Sequence, residues 1–253
     1  MEETGKNPIQ VAERLFQVIE RLAENGPMGI MDLSAELGFH KSTTHRLVTS
    51  LQYMGYIRQD EESLKYALSL KFLEIGSKIL EQTNMASLIH PSLKKLSEQT
   101  GETVHLVRRE GTEAVYIDKV ESTVSSIRMV SRVGSRIPLY CSGVGKALLA
   151  ELPDPEIEDI WNSSEITSLT PYTVTSLSDL MDRIRGVREA GYAMDDEENE
   201  EGVRCIAVSI PDYHKEPVYA LSISAPVSRM TDARIAELST DVLTFKKDLE
   251  KTL

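Results

Sequence analysis

The chain has 253 residues, 41% apolar and 27% charged, with a formal net charge of −12. That composition fits an ordinary globular protein long enough for two separate cores. It excludes a general nucleic-acid coat, because so large an acid excess repels a polyanion, and no run of about eighteen apolar residues offers a membrane span.

In chain order, Met1-Glu-Glu-Thr-Gly-Lys6 lacks the apolar core of a signal peptide, so a cytoplasmic location is expected. Val11, Leu15, Val18, Ile19 and Leu22 then recur at helical spacing and predict a first helix with a core-facing stripe. Gly26-Pro27 breaks the chain, and two short amphipathic helices follow, joined by a turn at Gly38. The second of these opens with six polar or basic residues, 41–46. Its buried side comes from Leu47, Val48 and Leu51, and Gly55 stands where a left-handed cap ends it. A helix built only for packing rarely opens on Lys-Ser-Thr-Thr-His-Arg. One that enters a major groove N-terminus first needs such residues for base edges and phosphates. Residues 56–59 and 65–68 read as strands closed by the polar connection 60–64, the wing of a winged helix-turn-helix. The competing reading, a three-helix bundle with an incidentally polar helix start, accounts for less of this pattern.

The acidity is unevenly spread. Residues 1–80 hold nine Lys and Arg against eleven Asp and Glu, a net of −2, and the remainder nineteen against twenty-nine, a net of −10. Between Lys41 and Arg58 there is no acid at all. Ser42, Thr43 and Thr44 can donate to phosphates or base edges, and Arg46 can grip a guanine or a phosphate with two bonds. Lys41 and Arg58 suit phosphates that position rather than specify, and His45 is open to either role. Because part of any helix faces its own core, about four of the six residues from 41 to 46 are expected to touch DNA.

Residues 70–82 read as a helical connector. Beyond them, 91–100 reads as a helix stopped by Gly101, and 103–109 and 114–120 as strands paired around Glu110-Gly111-Thr112-Glu113. Further strands are expected at 126–132, 203–211 and 218–224, and helices at 145–152, 155–161, 177–190 and 231–249. An antiparallel sheet with helices against it makes this part an α+β domain. The organisation expected is a DNA-binding domain over 8–69, a linker helix over 70–84 and a ligand-binding and oligomerisation domain over 85–253.

Ser142-Gly143-Val144-Gly145 opens a helix whose free N–H groups suit a small carboxylate, although glycines before a helix are more often simple turn residues. Gly145-Lys146-Ala147 is not a phosphate loop, since Tyr140 stands in place of its first glycine and Ala147 in place of its hydroxyl residue. The run 195–201 carries six carboxylates in seven positions and reads as a solvated loop, without the ligand spacing of a metal site. Cys141 and Cys205, the two cysteines, give neither a disulfide framework nor a zinc signature, so no metal or other cofactor is expected. His90, His105 and His214 are scattered and read as structural.

Several segments together resemble the IclR family of bacterial transcriptional regulators, over roughly residues 8–247. They are Lys41-Ser-Thr-Thr-His-Arg-Leu47, Gly101-Glu-Thr-Val-His-Leu106, Val115-Tyr-Ile-Asp-Lys-Val120, Gly143-Val-Gly-Lys-Ala-Leu-Leu149 and the stretch from Gly191-Tyr-Ala-Met-Asp195 to Cys205-Ile-Ala207. Arg128-Met-Val-Ser-Arg-Val-Gly134 followed by Pro138-Leu-Tyr-Cys141 is most similar to the regulators of pectin and hexuronate breakdown, which answer to 2-keto-3-deoxygluconate. The resemblance implies a winged helix, a helical linker and a GAF-like effector domain, in a homodimer or homotetramer on a palindromic double-stranded operator. It implies effector contacts at Gly143, Val144, Asp195, Cys205, Ser222 and Ser224. There, amides and hydroxyls would hold the oxygens of a small carboxylate and Asp195 would accept bonds from ligand hydroxyls. The expected function is a ligand-responsive repressor of sugar-acid catabolism. The rivals are a regulator of another carboxylic-acid pathway, an enzyme using Cys141 or Cys205 as nucleophile beside His105, and a scaffold using its winged helix for protein contacts. The enzyme reading lacks an activating constellation and leaves the winged helix unexplained.

Overall fold

Helix α1 (Gln10–Asn25) buries Val18 and Leu22 and half-buries Leu15 and Ile19, whereas Val11, expected on the same stripe, is 60% exposed. Its buried side meets α2 (Ile30–Leu37) and α3 (Lys41–Tyr53) around Leu33, Leu47, Val48 and Leu51. After α3 the chain turns through Gly55 at φ 77°. The N–H of Tyr56 donates to the Leu51 carbonyl at 2.9 Å and that of Gly55 to the Gln52 carbonyl at 2.9 Å, so two carbonyls left over at the helix end are satisfied in a Schellman cap. The cap sends Tyr56 straight into the wing, β1 (Ile57–Gln59) against β2 (Tyr66–Leu68), with Arg58 opposite Ala67. An isolated antiparallel bridge from Met28 to Tyr66 adds a third edge that the sequence did not suggest. Helix α4 (Lys71–Gln82) follows, its Lys71 ammonium on the Met54 carbonyl at 2.7 Å and 4.2 Å from the Tyr56 ring centroid.

The computed structural model describes residues 9–82, 84–122, 131–212 and 214–250, and the chain divides into two compact units, Met1–Gln82 and Thr83–Leu253. The second unit opens with α5 (Asn84–Thr100), which starts earlier than the helix expected at 91 and carries Pro91 in its interior. The proline lacks the N–H that would bond the carbonyl four residues back, yet Ile89, Leu93 and Leu96 anchor both sides of it in the core, and tertiary burial overrides the local cost.

A six-stranded antiparallel sheet forms the centre of this unit. Its strands are β3 (Thr103–Glu110), β4 (Glu113–Val120), β5 (Arg136–Pro138), β6 (Ala193–Asp196), β7 (Val203–Ile210) and β8 (Tyr219–Pro226), in spatial order β5-β4-β3-β8-β7-β6. The strand expected at 126–132 lies, up to residue 130, outside the described residues. The short β5 and β6 were not foreseen.

Alternation along the strands sorts the two faces of the sheet. Val104, Leu106, Ile206, Val208, Leu221 and Ile223 share one core with α5 and α9 (Asp232–Glu250). Val107, Ala114, Ala193, Ala207 and Ala220 share the other with α6 (Gly143–Ala150) and α8 (Leu177–Ala190), while α7 (Asp154–Asn162) adds Ile157 at its margin. The second face is built from small side chains, which lets α6 lie very close. A Cβ on Gly145 would fall onto the carbonyl oxygen and Cα of Leu139, so no larger residue fits there. The fold is thus α+β, an N-terminal helix-turn-helix followed by a domain of antiparallel sheet and flanking helices.

This packing generates a paired prediction. Gly145→Ala should destabilise the protein by about 3 kcal/mol or more, the upper end of overpacking costs, because the obstacle is backbone and cannot rotate away. Gly186→Ala, within α8 and with nothing near the added methyl, should stabilise it by about 0.5–1 kcal/mol. Urea unfolding of both variants checks this, and equal midpoints would refute the close approach.

Candidate functional site

The first of two candidate sites is the entrance of α3. His40 caps that helix without a side-chain hydrogen bond, and its first turn holds no acid, so the leading N–H groups and the positive end of the helix stand unopposed. Lys41, Ser42, His45 and Arg46 are exposed, Thr43 is half-buried, and Arg58 is exposed on the wing. Thr44 departs from expectation. It is 0% exposed, and its hydroxyl reaches the His40 carbonyl at 3.4 Å. At 3.6 residues per turn, 44 falls on the stripe of 47, 48 and 51, so its side chain belongs to the core and not to a DNA-facing set. His45 points outward, its Nδ1 3.5 Å from the Thr49 hydroxyl. The outward residues are donors with three fixed positive charges among them, Lys41, Arg46 and Arg58, a chemistry suited to phosphates and guanine edges.

The second site lies at the start of α6. Ser142 caps the helix, accepting from the Gly145 N–H at 3.1 Å and donating to the Pro138 carbonyl at 2.5 Å. The next residue sits hard against β7: a Cβ on Gly143 would come 2.7 Å from the Cys205 sulfur and 3.5 Å from the Ala207 methyl. Both glycines of this segment are therefore required by close packing, not by a simple turn. Behind them is a cavity of about 40 Å³. Gly143, Val144, Asp195, Cys205, Ser222 and Ser224, drawn from α6, β6, β7 and β8, all line it. Sheet register explains the grouping, since Cys205 pairs with both Asp195 and Ser224, and Ser222 with both Ala207 and His105. Clefts of about 370 Å³ between α5 and α9 and about 550 Å³ beside α8 are larger, but buried polar groups converge on the small cavity.

The same cavity contains His105, which sequence reasoning had set aside as structural. Its Nε2 lies 2.8 Å from the Ser131 hydroxyl, its Nδ1 3.4 Å from the hydroxyls of both Ser222 and Ser224, and its ring 5.1 Å from that of Tyr116. Burial, helped by the positive charge of Lys119, pushes its pKa down to about 3, so the imidazole is neutral and can donate from one nitrogen and accept at the other. Alternation was the available signal: His105 lies directly between Val104 and Leu106, on the opposite face from both.

Asp195 is likewise buried, which corrects the reading of 195–201 as a solvated loop at that position and at Glu198, while Asp196, Glu200 and Glu201 are exposed. The run begins inside β6, turns through Glu197 at φ 61°, and is held by Asp195 Oδ1, which accepts from the Glu198 and Asn199 N–H groups at 2.8 and 3.3 Å. Burial raises the Asp195 pKa to about 7 against the opposing pull of the Lys146 charge and those N–H groups. Glu198 is buried too. Its Oε1 meets Lys146 Nζ at 2.5 Å with both side chains 2% exposed, and its backbone carbonyl accepts from the Thr173 hydroxyl at 2.6 Å. A single lysine inside the otherwise apolar Gly-Val-Gly-Lys-Ala-Leu-Leu-Ala was the visible clue to this pair. Burial raises the Cys141 pKa to about 12 and pushes that of Cys205 up as well, which leaves both thiols protonated and poor nucleophiles. Among the described residues no group of three or more His, Cys, Asp or Glu side chains could hold a metal ion.

Comparison with known proteins matches residues 11–61 to the IclR helix-turn-helix domain and 77–250 to the bacterial transcriptional regulator IclR C-terminal domain. The chain is 36% identical to the acetate operon repressor of Salmonella typhimurium, covering 95% of this chain and 89% of that one. It is 37% identical to the HTH-type transcriptional regulator KdgR of Escherichia coli, covering 92% and 89%. The crystal structure of the Thermotoga maritima IclR superposes with a TM-score of 0.80 at 32% identity, over 96% of this chain and 98% of that one. Near-equal identity to two differently named regulators leaves the subgroup unresolved.

The buried pair makes a prediction of its own. Lys146→Met should cost about 3–5 kcal/mol by leaving the Glu198 carboxylate buried and unpaired. Lys146→Met combined with Glu198→Leu should recover much of that loss. Chemical denaturation of the single and double variants decides, and equal losses would show that the ion pair is not the source of the cost.

Proposed function

The chain belongs to the IclR family of transcriptional regulators, a DNA-binding regulator and not an enzyme, and from that premise we propose that it is a repressor of sugar-acid catabolism released by a small keto-sugar acid. The observation that carries this reading is the convergence of Gly143, Val144, Asp195, Cys205, Ser222 and Ser224 on one buried polar cavity. Hydroxyls at Ser222 and Ser224, the amides at the start of α6 and the acid Asp195 offer matched partners for a carboxylate, a ketone and several hydroxyls. Support for 2-keto-3-deoxygluconate as the ligand comes from the segments at 128–134 and 138–141, whose likeness to pectin and hexuronate regulators is described above. The space left free between these side chains is about 40 Å³. A ligand that makes these bonds in one arrangement of the domain and not in another gains a preference between the two, the requirement for any effect on DNA binding.

On the DNA side we assign Lys41, Ser42, Thr43, His45, Arg46 and Arg58 to the contact surface. One recognition helix reads about half a site, so a homodimer or homotetramer on a palindromic operator is the assembly this reading requires. Light scattering with and without operator tests it, and a monomer on a single half-site would contradict it.

Two predictions separate the contributions. Arg46→Ala should weaken binding to the chain's own promoter by about 1–3 kcal/mol while leaving thermal stability unchanged. Thr44→Val, by contrast, should leave DNA affinity unchanged, and an intact Arg46→Ala footprint would remove that residue from the interface. In calorimetry with 2-keto-3-deoxygluconate, Ser222→Ala and Asp195→Ala should each bind at least about tenfold more weakly than wild type, the effect of one lost charge-assisted bond. Equal binding by all three proteins would put the site elsewhere.

A further inference from the structure

A carboxylate entering the cavity at the start of α6 meets an unfavourable set of charges. The described ionisable residues lining that cavity are His105, Tyr116, Asp195, Glu200 and Cys205, and none of them brings a positive charge near neutrality. The two neighbouring lysines are engaged. Lys146 is paired with Glu198 at 2.5 Å, and Lys119 donates to the Ser131 carbonyl at 2.8 Å and pairs with Glu121 at 3.1 Å. Asp195 is 6% exposed, and its Oδ1 is occupied by two backbone N–H groups. Its Oδ2 has no hydrogen-bond donor among the described residues and is the oxygen left for a ligand. Two carboxylates brought into contact in such a place do not both stay ionised.

We propose that Asp195 holds the effector as a neutral carboxylic acid, so that each carboxylate bound to the ionised form of the site brings one proton with it. The proton resides on Oδ2 and is donated to a carboxylate or keto oxygen of the ligand, which adds a donor where the ionised group could only accept. This rests on the cavity being the effector site.

The surroundings of Asp195 support the idea. Facing it are Lys146 from α6, Cys141 just before that helix, Glu198 and Glu200 from the turn after β6, Cys205 from β7, Tyr116 from β4 and His105 from β3. Burial pushes the two thiols and the Tyr116 phenol up and the His105 imidazole down, so none of these four changes charge near neutrality. Asp195 does: burial, reinforced by the Glu198 charge and resisted by Lys146, sets its pKa at about 7 before any ligand arrives. The sign follows. Below that value the acid form is already present and affinity is flat with pH, whereas above it a proton must be taken up and affinity falls, approaching tenfold per pH unit.

The test is calorimetry on the full chain with sodium 2-keto-3-deoxygluconate, in phosphate and in Tris, whose ionisation enthalpies differ. Affinity should fall about tenfold between pH 6 and pH 8, and proton uptake should rise from about 0.1 to about 0.9 per ligand, the values linkage gives for a group titrating near 7. Asp195→Asn keeps an acceptor for the two N–H groups and offers an N–H donor to the ligand. It should bind with no pH dependence and no proton uptake. A pH-independent wild type, or zero uptake at pH 8, would overturn the proposal. Carbon-13 titration of the side-chain carboxyls in the ligand-free chain, with Asp195 assigned by comparison with Asp195→Asn, gives an independent reading. A midpoint near 7 supports the proposal, and one below about 5 overturns its pH window, since affinity would then fall about a hundredfold between pH 6 and pH 8. Failure of the sugar acid to bind at either pH would sink the ligand assignment, and the carbon titration would still show whether Asp195 changes charge near neutrality, without which the proposal fails for any carboxylate.

Discussion

The close seating of α6 on the sheet is the constraint on which the proposed site depends. Gly145 lies against the backbone of Leu139 and Gly143 against the Cys205 sulfur, with Ala207 and Ala220 beneath in the same core. Those small residues place the start of α6 in the same cavity lining as Asp195, Ser222 and Ser224. A β-sheet offers such a surface only where one face of several adjacent strands carries small side chains in register. The opposite face of the same strands, built from Val, Leu and Ile, packs against α5 and α9 in the ordinary way.

Electrostatics then sets the character of the cavity. Burying Lys146 and Glu198 together is costly unless they stay paired, and their pairing fixes the turn after β6 against α6. Thr170 and Thr173 hold the same turn from outside by donating to the Glu197 and Glu198 carbonyls. What remains to face a ligand is a neutral imidazole, hydroxyls, a protonated thiol and two acid side chains, Glu200 and Asp195, the latter poised between its two forms. Such a lining discriminates by hydrogen bonding more than by charge.

Local chemistry made a good part of this legible. The polar helix entrance, the cap at Gly55, the hairpin of the wing and the alternation of β3, β4, β7 and β8 are short-range patterns, and the sequence carries them openly. The alternation at Ser222 and Ser224 was equally visible, and the structure turns both inward beside His105. Other features were hidden because they depend on distant partners. Thr44 looks like its polar neighbours, and its burial shows only once α1 and α2 close over the face it shares with Leu47, Val48 and Leu51. Pro91 reads as a helix start until Ile89 and Leu93 are seen buried on either side of it. Six carboxylates in seven positions suggest water, and nothing within the run tells that Asp195 and Glu198 are inside; only Lys146, on a distant helix, is out of place.

The proposed DNA-contact residues lie in one unit and the proposed ligand cavity in the other, so the proposed function requires that occupancy of the cavity change affinity at the DNA. A hundredfold change corresponds to about 2.7 kcal/mol, within reach of a few charge-assisted bonds made in only one state of the protein. The direct measurement is fluorescence anisotropy of a labelled fragment of the chain's own promoter, titrated with full-length protein with and without saturating 2-keto-3-deoxygluconate. The account predicts a loss of DNA affinity on the order of a hundredfold when the ligand is present. An unchanged affinity, at ligand concentrations where calorimetry shows the cavity filled, would contradict it.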